Sequence, residues 1–293
     1  MDVDYTAFFP RLIYKSTKKR VSPNAIAFDL DETIGSFSDF HSIWARLDAK
    51  MKTQHIFNDI MDLYPEFMRV GILSIFRYIR TKQESGHCLP IYIYTNNQCE
   101  DVNWIYQLIH YIEFKISPEV PYQLFARPIC AYQIRGRRIE PNRTTNEKTY
   151  SDFVKCSMLT TSHELCFIDD IYYKQMKNKR VYYIQPPPYV HSVHYREVVD
   201  RFFKSDVYKR LYPDRPVPIP ITFTFDNTSS PSSPTIRTHI IQCEENAEEQ
   251  KITNRIMYYI REFFTVSSRR CATKKRYPKI GKFSRKKHNN LRV

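Results

Sequence analysis

The sequence predicts an α/β fold in which a parallel sheet is flanked by helices. Three observations carry this. Short apolar runs at 25–28, 89–95, 165–168 and 181–184 are too brief for helices and rich in strand-forming residues. Longer stretches with helical spacing of apolar residues separate most of them. Three of the four runs stop abruptly at Asp or Thr, and in open α/β sheets ligands sit outside the carboxyl ends of the strands.

The first run ends in Asp29, Asp31 and Thr33. Residues i and i+2 of an extended chain point the same way, so Asp29 and Asp31 can flank one small pocket. Close carboxylates repel, and a divalent cation or a shared proton between them relieves that. Residues 36–64 carry Ile43, Trp44, Leu47 and Met51 at helical spacing, then Ile56, Ile60 and Met61, and form a small helical insert. Pro65 interrupts, and an amphipathic helix is expected over 67–82 through Val70, Leu73, Ile75, Phe76 and Ile79. The second run ends in Thr95-Asn96-Asn97. A threonine there can cap the helix expected over 99–113, or donate to an anion at its N-terminus.

Residues 114–145 form a long insert, with a strand expected at 122–126 and a β-hairpin over 129–139 turning at Arg135-Gly136. Arg135, Arg137, Arg138 and Arg143 suit a phosphorylated peptide or other polyanion, or simply solvent. The next helix opens at Lys148, with Lys155 further along it. The third run ends in Asp169-Asp170. The fourth is closed by prolines and followed by a core helix over 192–211; His191 and His194 read as solvated or capping groups. A Pro/Ser-rich linker is expected over 212–240 and an amphipathic helix over 241–265. That helix must cover Ile252, Ile256, Tyr259, Ile260 and Phe263 on the core or on a partner. A basic, disordered tail is expected over 266–293.

Asp29-Leu-Asp31-Glu-Thr33, Thr95, Lys148 and Asp169-Asp170 follow one another in this order. Together they resemble the four motifs of the haloacid dehalogenase (HAD) superfamily of phosphotransferases. Asp-Leu-Asp-Glu-Thr, the β-hairpin insert and the paired acids are most similar to the RNA polymerase C-terminal-domain phosphatase branch. Cys166-Phe-Ile-Asp-Asp and Val181-Tyr-Tyr-Ile-Gln-Pro resemble proteins of this type from large DNA viruses of eukaryotes. The resemblance covers about 20–200. It implies a Rossmann-like HAD fold: a lead-in at 1–22, then a phosphatase domain at 23–211. Within that domain 36–64 takes the position of a cap, and the hairpin insert lies near the substrate groove.

The same resemblance implies a Mg²⁺-dependent phosphomonoester hydrolase using an aspartyl-phosphate, most closely a protein serine/threonine phosphatase. Asp29 would be the nucleophile and Asp31 the general acid and base. Thr95, Asn96 and Lys148 would bind the phosphate. Mg²⁺ would be held by Asp29, the backbone carbonyl of Asp31 and Asp169, with Thr33 and Asp170 supporting them. The family lysine sits near a helix start, which favours Lys148 over Lys155. The phosphorylated protein substrate would include the polymerase C-terminal domain. Ile171-Tyr172-Tyr173 stands where small members of the branch carry Ser-Pro, which leaves the substrate open. The alternatives are a nucleic-acid-end or nucleotide phosphatase and a non-catalytic binding or scaffold protein.

Charge and cysteine usage narrow the class. Net charge is +14, but the residues after 268 hold eleven basic side chains and no acid, so residues 1–268 are close to neutral. The tail at 269–293 is a candidate contact for nucleic acid, or a solvated or address segment. The seven cysteines are scattered, without a Cys-x-x-Cys pair, and are expected to be reduced. None heads the Cys-x5-Arg loop of cysteine phosphatases, and no Walker loop occurs. No apolar run approaches a membrane span and no signal-peptide pattern is seen, so an intracellular protein, cytoplasmic or nuclear, is expected.

Overall fold

The computed structural model describes residues 23–97, 99, 104–214 and 234–274, with the side chains of the last helix from 246 to 267. The lead-in at 1–22, the middle of the expected linker and the tail beyond 274 lie outside the described residues. The core is a four-stranded parallel sheet of β1 (Ala25–Phe28), β2 (Tyr92–Ile93), β5 (Leu165–Ile168) and β6 (Val181–Ile184), ordered β2-β1-β5-β6. Every residue of β1 and β5 is buried. Helices cover both faces of such a sheet, so its central strands read as unbroken apolar runs.

The register places the chemistry. Phe28 pairs with Ile93 on one side and Ile168 on the other, and Ile168 pairs with Ile184. Asp29 and Asp169 therefore leave the sheet side by side, their amides donating to Ile168 O (2.8 Å) and Ile184 O (3.2 Å). The chain passes from β1 to β2 and then back across β1 to β5, and the crevice at such a reversal is where α/β folds bind ligands.

The helical insert consists of α1 (Ser38–Arg46), a 3₁₀ turn and α2 (Gln54–Leu63), the latter capped by the Thr53 hydroxyl accepting from Ile56 N. It is part of the main core. Phe40 packs on Phe57 and Trp44 with ring centroids 4.8 and 5.9 Å apart. The helix expected over 67–82 begins later, as α3 (Ile72–Glu84), after a 3₁₀ turn at Pro65–Phe67. Gly71, at φ +78°, separates the two, since a left-handed residue ends helical hydrogen bonding. The strand expected at 122–126 amounts to one bridge, Ile91 to Phe125. Pro121 and Pro128 flank it and bring no N–H to a ladder.

The remaining elements are α4 (Trp104–Ile116), the hairpin β3 (Gln133–Ile134) and β4 (Arg137–Arg138), and α5 (Tyr150–Ser157). The helix expected over 192–211 is two, α6 (Tyr195–Lys204) and α7 (Asp206–Leu211), because Ser205 caps the second by accepting from Tyr208 N. The C-terminal helix α8 (Pro234–Lys274) outruns the range 241–265, taking in the end of the expected linker and the start of the expected tail. Proline is tolerated in a first helical turn, so Pro234 does not stop it. Its buried face, Ile256, Ile260, Phe263 and Phe264, packs on α3 and β6 of the same chain. Tyr259, expected on that face, is exposed, and Phe264 takes its place.

Cys88, Cys156 and Cys166 are buried free thiols, but Cys99 and Cys130, expected reduced, form a disulfide. Their separation of 31 residues gave no hint of it; the loop after β2 folds back along 129–131, with Ala131 N donating to Asn97 O. No described helix is long and apolar enough to cross a membrane.

Candidate active site

The strand ends, the approach to α5 and the start of α1 open onto one cleft of about 610 Å³. Asp29, Asp31, Thr95, Asn96, Lys148 and Asp170 line it, with Glu32, His41, Asn97, Ile134, Ile171 and Tyr173 among its walls. Lys148 is the centre. It is 1% exposed, and its Nζ lies 2.5 Å from Asp29 Oδ1 and 2.7 Å from Asp169 Oδ2. The competing Lys155 is exposed on α5.

Lys148 is placed from both sides of the chain. Thr149 caps α5, accepting from Asp152 N at 3.0 Å, so the lysine sits immediately before the helix. The Thr149 amide donates to Tyr94 OH at 3.1 Å, tying the helix start to the end of β2. Arg143, expected on a surface that could take a polyanion, is instead fully buried. It donates to the carbonyls of Thr95, Cys130, Asn146 and Glu147 and to Asn96 Oδ1, at 2.7 to 3.3 Å. A guanidinium presents its donors in a rigid fork, and here Nη1 and Nη2 hold the Thr95 loop against the segment leading to Lys148.

The two acid-bearing loops are joined by Thr33. Its hydroxyl donates to Asp170 Oδ1 (2.8 Å) and accepts from Asp170 N (3.1 Å). Asp169 uses its other oxygen to accept from Ile171 N at 2.9 Å. Asp31 accepts from Asn97 Nδ2 at 3.2 Å, and Asn97 N donates to the Thr95 hydroxyl at 3.0 Å. That leaves the Thr95 O–H to donate to a ligand oxygen. Asn96 faces the cleft, but its amide is engaged with Arg143 and with Tyr173 OH.

Charge in the cleft is unbalanced. Burial raises the Asp29 carboxyl above its ordinary range, although Lys148 pulls the other way. Burial likewise lifts Asp31 to about 6, with the Asn97 hydrogen bond opposing it, and Asp169 to about 7 against the pull of Lys148. For Lys148, burial alone would lower the pKa, but the carboxylates of Asp29 and Asp169 outweigh it and raise it. Asp29, Asp169 and Asp170 each offer an oxygen within 4.8 Å of the others, and could hold a metal ion. Three carboxylates offering oxygen atoms are the donor chemistry that suits a hard divalent cation. The Asp31 side chain is not in that trio.

Sequence reasoning named Thr33, Asp29, Asp31, Thr95, Lys148, Asp169 and Asp170, and the fold brings all of them to this cleft or its rim. It missed Asn97, which holds the Asp31 carboxylate, and the work of Arg143, whose partners are mostly backbone carbonyls and leave no pattern in sequence. No protein-family model, curated protein or solved structure matches the chain.

Proposed function

We propose that this chain is a Mg²⁺-dependent phosphomonoester hydrolase with phosphoserine or phosphothreonine in protein as its substrate, working through an aspartyl-phosphate on Asp29. The observation that supports it most is the buried Lys148 ammonium in contact with both Asp29 and Asp169. Asp29 attacks phosphorus, forming a carboxylate–phosphorus bond as the bond to the leaving oxygen breaks. Asp31 gives its proton to that oxygen, then takes a proton from the water that attacks the aspartyl-phosphate, releasing inorganic phosphate and regenerating Asp29. A carboxyl lifted to about 6 serves both steps near neutral pH.

Asn97 orients Asp31, while the Thr95 hydroxyl and Lys148 hold phosphoryl oxygens. Asn96, expected to bind phosphate, acts through the loop it shares with Arg143. Asp29, Asp169 and Asp170 would hold Mg²⁺, which when bound neutralises charge on the transferring group. The charge of the cleft lining supports a singly phosphorylated substrate. Asp31, Glu32 and Asp170 line the cleft with Lys148 as its lysine, so a strand of many phosphates meets a repelling wall. A single phosphate on a peptide does not.

The test is turnover of p-nitrophenyl phosphate, a singly phosphorylated peptide and a 5′-phosphorylated oligonucleotide, each with Mg²⁺ or chelator. Chelation and Asp29→Asn should each abolish hydrolysis with the circular dichroism spectrum unchanged, and the peptide should outrun the oligonucleotide. Undiminished turnover by Asp29→Asn overturns the nucleophile; preference for the oligonucleotide overturns the substrate class.

A further inference from the structure

The turn that carries Asp31 is strained and externally braced. Glu32 lies at φ +59°, a left-handed conformation that costs a non-glycine residue of order 1 kcal/mol. Its carbonyl accepts from Tyr189 N (2.7 Å) and from Arg69 Nη2 (2.8 Å), while its amide donates to Gly35 O (2.7 Å). Arg69 is 1% exposed. Besides Glu32 O it donates to Thr33 O (2.8 Å) and Pro187 O (2.7 Å), and its guanidinium lies over the Tyr189 ring. One buried side chain therefore clamps two consecutive peptides between Asp31 and Ile34.

The fourth partner of Arg69 comes from far along the chain. Its Nη1 pairs with Glu249 Oε2 of α8 at 3.1 Å. The same stretch of α8 is pressed on the neighbouring backbone. Thr253 Oγ1 donates to Val70 O at 2.6 Å, and a Cβ on Gly71 would meet the Gln250 and Thr253 side chains at 2.9 to 3.2 Å. A buried guanidinium needs an anion, and Glu249 supplies it.

We propose that Glu249 is a positioning residue for the Asp31 turn. Acting through Arg69, it makes α8 a structural brace of the active site rather than an appendage. With the Glu249 charge removed, the guanidinium loses its ion pair on the α8 side and keeps at most a neutral hydrogen bond there, so the Glu32 turn relaxes and Asp31 shifts from its position beside Asn97. The effect on turnover rests on the phosphatase reading above; the effect on the turn does not.

The test uses the full chain with Glu249→Gln, which keeps the shape and loses the charge, and Glu248→Gln one residue away as control. Glu248 is exposed and pairs with Lys251. Two readouts are taken: kcat and KM for p-nitrophenyl phosphate with Mg²⁺, and hydrogen exchange of the amides of residues 31–36. Glu249→Gln should lower kcat about tenfold with KM little changed, since a small misplacement of a reacting group acts on the chemical step. It should also speed exchange in 31–36, and Glu249→Asp should restore part of both. Arg69→Lys, with one point of contact in place of a fork, should match the loss. Unchanged exchange in 31–36 overturns the proposal even if the wild-type chain hydrolyses nothing. A fall in melting temperature with kcat and exchange both unchanged also overturns it, leaving Glu249 a structural contact only. Activity absent from the wild-type chain, with the exchange difference present, fails the phosphatase reading alone.

Discussion

Lys148 shows how one residue can organise a site. It is buried with two carboxylates at 2.5 and 2.7 Å, and neither acid has another cation in contact among the described residues. If the chain is the phosphatase proposed above, Lys148→Met should lower kcat at least about a hundredfold, because a phosphoryl group would lose its fixed partner. It should also destabilise the metal-free fold by about 3–5 kcal/mol near pH 8, the usual consequence of leaving buried charge unpaired. The sign with pH is definite. Asp29 and Asp169 already titrate above the unfolded range, and without Lys148 they rise further. The folded variant then holds protons that the unfolded chain releases, so its stability survives below about pH 4 and is lost as pH rises. Urea denaturation of wild type and variant at pH 5 and 8 checks this; equal deficits at both pH values would contradict it.

At the scale of elements, backbone hydrogen bonds run residues 124–131 alongside 91–97, and side chains fasten that insert further. Arg143 fastens one end of it to the Thr95 loop. Glu113 of α4 fastens the other, accepting from Leu124 N (2.8 Å) and Phe125 N (3.1 Å). Burial lifts the Glu113 carboxyl to about 7, with those two amides opposing the rise. Its folded pKa lies above the unfolded value, so its contribution is present below about pH 4.3 and declines as pH climbs through 7. Glu113→Gln keeps the acceptor oxygen and removes the titration. Its stability relative to wild type should therefore improve between pH 5 and pH 8, read from denaturant midpoints. No change in the difference would place the proton elsewhere.

For the molecule as a whole, the acidic cluster that could hold a metal ion would couple stability to a bound cation. The cleft and its floor gather Asp29, Asp31, Asp169 and Asp170 around Lys148, and a cation binding only the folded state adds RT ln(1 + [L]/Kd). Mg²⁺ at a hundred times its Kd should stabilise the protein by about 2.7 kcal/mol, seen as a higher melting temperature that chelator reverses. Asp169→Asn, which removes an anionic ligand and leaves the sheet intact, should abolish that rise. A Mg²⁺-dependent shift that persists in the variant would move the metal away from this trio.

The sequence by itself determined the strands and what stands at their ends. Apolar runs as short as Ala25–Phe28 can be satisfied only inside a sheet, and polar residues that stop them must emerge at its edge. That local logic reached Asp29, Asp31, Thr95, Asp169 and Asp170, and it put Lys148 at a helix start. Tertiary structure alone decided the pairing of Cys99 with Cys130, the burial of Arg143 and the reach of Glu249 to Arg69. Each of these joins residues whose proximity comes from the path of the whole chain, and two of them act through backbone carbonyls that every residue possesses. Periodicity records which face of an element is buried, but not which distant backbone will lie against it.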